Sequence, residues 1–239
     1  IRAWRGAGRK RHALGQRGVD PLNTVKSFEL WNHYFNNILL VDNQQYEQQI
    51  VSRESVEKSF QRINRQLALM LTTLLSAGEI RPSPQEVFSS SEVTATMGNI
   101  GDISTIGYCG EEINLKSRPW SKKMEPGTHE LESIIERSVE KSALTFPCDV
   151  SGARTAALIV KGRPEHLFTQ AIAKGKSRLE EMTTVGKVRY GDYPDRNSKY
   201  LSAITLVSGI TDFSRLDQMK RRVQELGEHQ DAPQTTYGN

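Results

Sequence analysis

The sequence is poor in cysteine, in long apolar runs and in the loops that usually hold phosphate. Its 239 residues include only two cysteines, Cys109 and Cys148, far apart and with no CxxC or histidine companion at metal-ligand spacing. That argues against a disulfide scaffold or a zinc site and fits a reducing cytosol. The five histidines, His12, His33, His129, His166 and His229, form no HxH or HxxxH group. His166, after Pro164, reads as a helix-start residue rather than a ligand. No apolar run approaches the length of a membrane span, and the start carries no signal-peptide apolar core. A soluble, cytoplasmic protein is the expectation. No GxxxxGK[ST] motif occurs, and no Ser-His-Asp grouping has local support.

What is present suits one large domain or two small ones, with 36% hydrophobic residues. Charge is nearly balanced, 32 Lys+Arg against 28 Asp+Glu, but Arg2, Arg5, Arg9, Lys10, Arg11 and Arg17 all precede the first acid, Asp20. Such a block can hold nucleic acid or an acidic partner. Chain ends are usually poorly ordered, so it reads first as an unanchored tail, and nucleic acid is not an expected partner.

From Pro21 onward, Leu22, Val25, Phe28 and Trp31 recur at a spacing of three, one face of a short helix. Ile38-Leu39-Leu40-Val41 is a continuous apolar run between Asn36-Asn37 and Asp42-Asn43. It reads as an interior strand buried on both faces, the close of an α/β sheet whose other strands lie outside this chain. A long amphipathic helix follows. Val56, Phe60, Ile63, Leu67, Met70, Leu71 and Leu74 step by three and four, with Ser52 or Ser55 as cap and Gly78 as terminator. At about 24 residues it would run roughly 36 Å, enough to tie two domains together.

Beyond residue 100 the expected order is strand (102–109), helix (128–142), strand (155–160), helix (165–182), strand (187–190), strand (200–208) and helix (213–226). A short helix over 89–96 precedes them. Gly175 weakens the 165–182 helix. The Tyr190-Gly-Asp-Tyr193-Pro turn is either an aromatic interface anchor or a hairpin connection. The fold class is α+β, with an α/β remnant ahead of a mixed-sheet domain with flanking helices.

Several of these segments, in this order, resemble the tubulin/FtsZ superfamily and, within it, the archaeal CetZ-type proteins. The blocks are Leu40-Val41-Asp42-Asn43, Glu54 to Asn64, Ser76-Ala-Gly-Glu79, Ser90-Ser-Glu92, Ile103 to Tyr108, Leu179-Glu-Glu181, Val188 to Pro194 and Leu206 to Ile210. The similarity covers about residues 20–215. It implies a basic tail (1–20), a remnant of a nucleotide-binding domain (21–50), a core helix (51–78), a C-terminal domain (79–215), and a terminal helix with a disordered tail (216–239).

The resemblance also implies roles. Asn43 matches the asparagine that hydrogen-bonds guanine, a task suited to an amide's paired donor and acceptor. Phe60 matches the aromatic that stacks on the base, and Asn64 the polar residue one turn on. Without the resemblance, Phe60 would read as core and Asn64 as its exposed neighbour. The loop after the core helix would enter the nucleotide site of the next subunit, where a carboxylate orients the water attacking the γ-phosphate. The FtsZ pattern Gly-x-x-Asn-x-Asp-x-x-Asp is replaced by Gly78-Glu-Ile-Arg-Pro-Ser-Pro-Gln-Glu86. Glu86 is the candidate carboxylate, against a plain reading as a solvated loop residue, and Ser89 stands where several relatives carry aspartate. The expected cofactors are GTP/GDP with Mg²⁺, and the expected partner is a second copy, joined head to tail into filaments. The family's GGGTGSG-type phosphate loop has no counterpart here. The chain is thus expected to be either a piece of a longer GTPase or a truncated form lacking that half. The alternative function is a non-catalytic interaction module: a truncated filament partner or a basic-armed binder.

Overall fold

The computed structural model describes residues 19–42, 55–76, 88–98, 102–113, 128–183, 185, 188–212 and 214–230. The chain divides into two compact units, residues 1–35 with 213–239, and residues 36–212.

In the first unit, helix α1 (Val19–Tyr34) packs against a C-terminal helix, α6 (Ser214–Gln230). Pro21 sits in the first turn of α1, where its missing N–H costs nothing. Val25 is buried, with Leu22, Phe28 and Trp31 half-buried along the face that their spacing predicts.

The second unit is a five-stranded mixed sheet. Its strands are β1 (Asn37–Leu39), β2 (Asp102–Glu112), β3 (Thr155–Gly162), β4 (Arg189–Pro194) and β5 (Tyr200–Ser208), in spatial order β1-β2-β5-β3-β4. β5 pairs antiparallel with both β2 and β3, whereas β1 pairs parallel with β2 and β4 parallel with β3. β5, in the middle, is buried from Leu201 to Ser208.

Alternation along the strands divides the sheet's side chains between two helical layers. On one face, Ile106, Ala157, Ile159, Ile204 and Leu206 meet Met70 and Leu74 of the long helix α2 (Val56–Ser76). Phe88 and Val93, the latter from the short helix α3 (Ser90–Thr96), complete that cluster. On the other face lie α4 (Thr128–Ser138) and α5 (Thr169–Thr183). Leu131, Ile134 and Ile135 of α4 are at most 1% exposed. The two helices are cross-linked at their rims by Lys174–Glu132 (3.4 Å) and Arg178–Glu136 (3.2 Å) ion pairs. Gly175, unfavourable in a helix by itself, is where α5 approaches α4: a Cβ there would lie 2.3 Å from Ile135 Cδ1.

Three differences from the sequence expectation have physical causes. The strand expected over 38–41 is β1, Asn37–Leu39, and its residues are half-buried, because it lies at a sheet edge with one neighbour. The helix expected from 165 begins at Thr169, since Pro164–His166 form a separate 3₁₀ turn. The segment Tyr190–Pro194, expected as a turn, lies within strand β4, and no hairpin follows it, because β4 and β5 do not pair. The chain from β4 instead steps over the end of β3, where Asp195 N–H donates to Gly162 O (2.8 Å) and Arg163 Nε donates to Ser198 O (2.8 Å). Tyr190 and Tyr193 are half-buried, with Lys176 and Lys161 over their rings at 5.0 and 4.7 Å to the ring centres.

Both cysteines are buried and free. Burial, reinforced by Asp212 and Asp149, pushes the Cys148 thiol from its ordinary value of 9.0 up to about 12. A folded pKa above the unfolded one means that stability is intact below pH 9 and is lost as pH rises toward 12. Each pH unit in that window should cost up to ~1.4 kcal/mol. Urea midpoints measured between pH 7 and 11 should therefore fall above pH 9. Cys148→Ala should flatten that fall, and a parallel decline in the variant would refute the assignment.

Candidate functional site

Helix α2 carries the two candidate nucleotide residues that the structure describes. The helix starts where Ser55 Oγ accepts a hydrogen bond from Lys58 N–H (3.3 Å), with Glu57 in the first turn to complement the N-terminal dipole. Its buried stripe runs through Ser59, Ile63, Met70, Thr73 and Leu74. Phe60 and Asn64 lie beside that stripe, about 40° apart round the helix. Phe60 is half-buried and Asn64 exposed. The ring is thus held on one side by the protein with an amide on the next turn, an arrangement that can stack a planar base and hydrogen-bond its edge.

Asn43 and Glu86 lie outside the described residues. The nearest described residues are Asp42, just ahead of Asn43, and Phe88, two positions beyond Glu86, and each lies in a well-bonded segment. Ahead of Asn43, Leu40 N–H donates to Ser104 O (2.9 Å) and Asp42 N–H to Thr145 O (2.7 Å). The Thr145 hydroxyl in turn donates to Leu40 O (2.8 Å). At the start of β1, the Asn37 amide donates to Ser208 Oγ (2.8 Å) and accepts from Ser104 Oγ (2.7 Å), which ties the strand to both β5 and β2.

After Glu86, Phe88 is 1% exposed and plugs the sheet core. Ser89 caps α3: its N–H donates to Glu92 Oε2 (2.9 Å), and its hydroxyl reaches the same carboxylate. Those hydrogen bonds from Ser89 hold the Glu92 carboxyl below its ordinary pKa. Ser89 therefore has a capping job in this chain, whereas an aspartate there would set a second carboxylate against Glu92. Thr145 and Asn37 had no signal in the sequence. Thr145 is 105 positions from Leu40 and belongs to no motif.

Among the described residues, no group of three or more His, Cys, Asp or Glu side chains could hold a metal ion. No helix among them is long and apolar enough to cross a membrane.

A mixed sheet between a long core helix and a helix pair is the fold of a tubulin-like C-terminal domain. Residues 53–225 match the family described as tubulin-like CetZ, C-terminal domain, and the chain belongs to that family. Among curated relatives, it is 29% identical to tubulin-like protein CetZ3 of Haloferax volcanii over 221 residues, 87% of this chain and 55% of the relative. Among solved structures, CetZ1 of Haloferax volcanii, a GDP-bound monomer, is 27% identical with a TM-score of 0.67, over 90% of this chain and 58% of that one. CetZ2 of the same organism, a GTPγS-bound protofilament, shares the fold at 24% identity with a TM-score of 0.74, over 92% of this chain and 60% of that one. The chain spans little more than half the length of the curated relatives it matches.

Proposed function

We propose that this chain supplies the core helix and C-terminal domain of a CetZ-type cytoskeletal GTPase that assembles head to tail in the cytoplasm and serves cell shape or division. In this reading residues 21–50 close the nucleotide-binding domain, 51–78 form the core helix and 79–215 the C-terminal domain, between a basic tail (1–20) and a C-terminal helix and tail (216–239). Asn43, Phe60 and Asn64 recognise guanine. Glu86 reaches the nucleotide of the neighbouring subunit, and Mg²⁺ comes with the phosphates.

The observation that carries the reading is the pair on α2. Phe60 and Asn64 share the edge beside the buried stripe, in a family whose solved members include a GDP-bound monomer and a GTPγS-bound protofilament. An aromatic ring stacked on a base contributes ~1–3 kcal/mol. In the protein expressed from its full open reading frame, Phe60→Ala should therefore weaken GTP binding by about tenfold or more, and Asn64→Ala should narrow the preference for GTP over ATP. Fluorescent-nucleotide titration measures both, with GTP-dependent pelleting as the assembly readout. Unchanged affinity in both variants would remove the site.

A further inference from the structure

Two segments share the outer edge of β2. β1 lies beside Asp102–Ser104 as a parallel partner, and residues 143–146 lie beside Ile106–Tyr108 in the opposite direction, with a bridge between Gly107 and Leu144. They meet end to end at Thr145. β1's last ladder bond is Leu40 N–H to Ser104 O. The next group on β2, Ile106, is already taken: its carbonyl accepts from Thr145 N–H (2.7 Å), and its N–H donates to Thr145 Oγ1 (3.1 Å). The chain leaving β1 cannot continue along β2, because Thr145 occupies the place of its next partner.

Thr145 does more than block. It is 1% exposed, and its hydroxyl spends its single proton on Leu40 O while accepting from Ile106 N–H. Its backbone carbonyl takes the Asp42 N–H. The Thr105 hydroxyl lies 3.1 Å away and accepts from Phe146 N–H (3.0 Å), which closes a buried network around one side chain. With the Thr145 proton on Leu40 O, the Thr105 proton is left for Thr145 Oγ1 or Phe146 O (3.3 Å). The result fixes the backbone of residues 40–42, immediately before Asn43 in the chain.

We infer that Thr145 is a positioning residue for guanine recognition: its hydroxyl and carbonyl hold Leu40 and Asp42, the chain segment that leads to the candidate base contact Asn43. The inference rests on the guanine-binding reading above. It assigns to a threonine that does not itself meet the nucleotide a share of the affinity and of the base selectivity. Pre-placing a contact group raises affinity because the ordering cost is met before binding.

The test uses four variants of the protein from its full open reading frame, with GTP and inosine triphosphate as probes. Thr145→Val keeps the shape but loses the hydroxyl. Its Kd for GTP should rise about tenfold, and its preference for GTP over inosine triphosphate should shrink. Thr145→Ser restores the hydroxyl and should return both. Thr105→Val removes a buried hydroxyl from the same network while sparing the bonds that join Thr145 to Leu40 and Asp42, so it should melt earlier yet bind as the wild type does. If Thr145→Val binds GTP with wild-type affinity and selectivity, or if Thr105→Val weakens binding equally, the positioning role is overturned and the network is structural only. Asn43→Ala separates the two ideas. If it binds GTP normally, the guanine-binding reading fails together with this inference. If it binds weakly while Thr145→Val binds normally, only the inference fails.

Discussion

Gly107→Ala is expected to destabilise the sheet unit by about 3 kcal/mol or more, a large effect for the addition of one methyl group. Gly107 lies in β2 opposite Thr205 of β5, directly beneath the end of α4. A Cβ built there would fall 1.7 Å from the Ser138 carbonyl oxygen and 3.2 Å from Leu144 Cδ2. The first of these is a collision with backbone, which no rotamer change relieves. Nor is the helix end free to lift. The Ser138 hydroxyl is 2.6 Å from Thr205 Oγ1 and donates to Ile135 O (2.6 Å), so the last turn of α4 is pinned to the strand that faces Gly107. Accommodating the methyl group means tilting α4 off the sheet and losing part of the burial of Leu131, Ile134 and Ile135. Gly152→Ala provides the control. Its Cβ would meet only the Thr211 hydroxyl, at 2.8 Å, in an exposed turn whose side chain can rotate away. Urea denaturation should show a much lower midpoint for Gly107→Ala and a nearly unchanged one for Gly152→Ala. Equal midpoints would mean that α4 does not sit as described.

The Gly107 approach was invisible in the sequence for the same reason that most of the topology was. Local periodicity reports which face of an element is apolar, not what comes to lie on it. The apolar stripe of α2 and the run Tyr200–Ser208 were legible because each carries its own period and its own punctuation. The antiparallel insertion of β5 between β2 and β3 was not, since adjacency in the chain suggested a β4–β5 pair. What decides the order is the β3-α5-β4 crossover, which sends β4 to the outside of β3 as a parallel partner and leaves β3's inner edge for β5. The candidate site divides in the same way. Phe60 and Asn64 could be placed on one helix face from spacing alone, but their chemistry came from the family resemblance. Thr145 and Asn37 act through contacts 105 and 171 positions away, and no local pattern marks either.

Glu86→Ala, in the protein expressed from its full open reading frame, is expected to slow GTP hydrolysis by roughly 10²-fold or more while leaving GTP affinity within about twofold, the scale of losing a residue that positions the attacking water. The separation follows from the geometry proposed: Glu86 belongs to one subunit, and the nucleotide it acts on is held by another. Removing the carboxylate should therefore spare both the base contacts at Phe60 and Asn64 and the head-to-tail contact itself. Filaments should then persist longer after GTP addition, because turnover is what would dissolve them. The same geometry makes a sharper demand. On this proposal a subunit with Glu86→Ala would have an intact pocket but could not activate its neighbour, whereas one with Phe60→Ala would have a weakened pocket but keep its carboxylate. Mixed together, the two should hydrolyse GTP faster than either alone, since a Glu86 from the second can face a nucleotide held by the first. Phosphate release measured across mixing ratios gives the answer. A mixture no faster than the weighted sum of its parts would place the attacking water's partner within the same subunit, or on another residue.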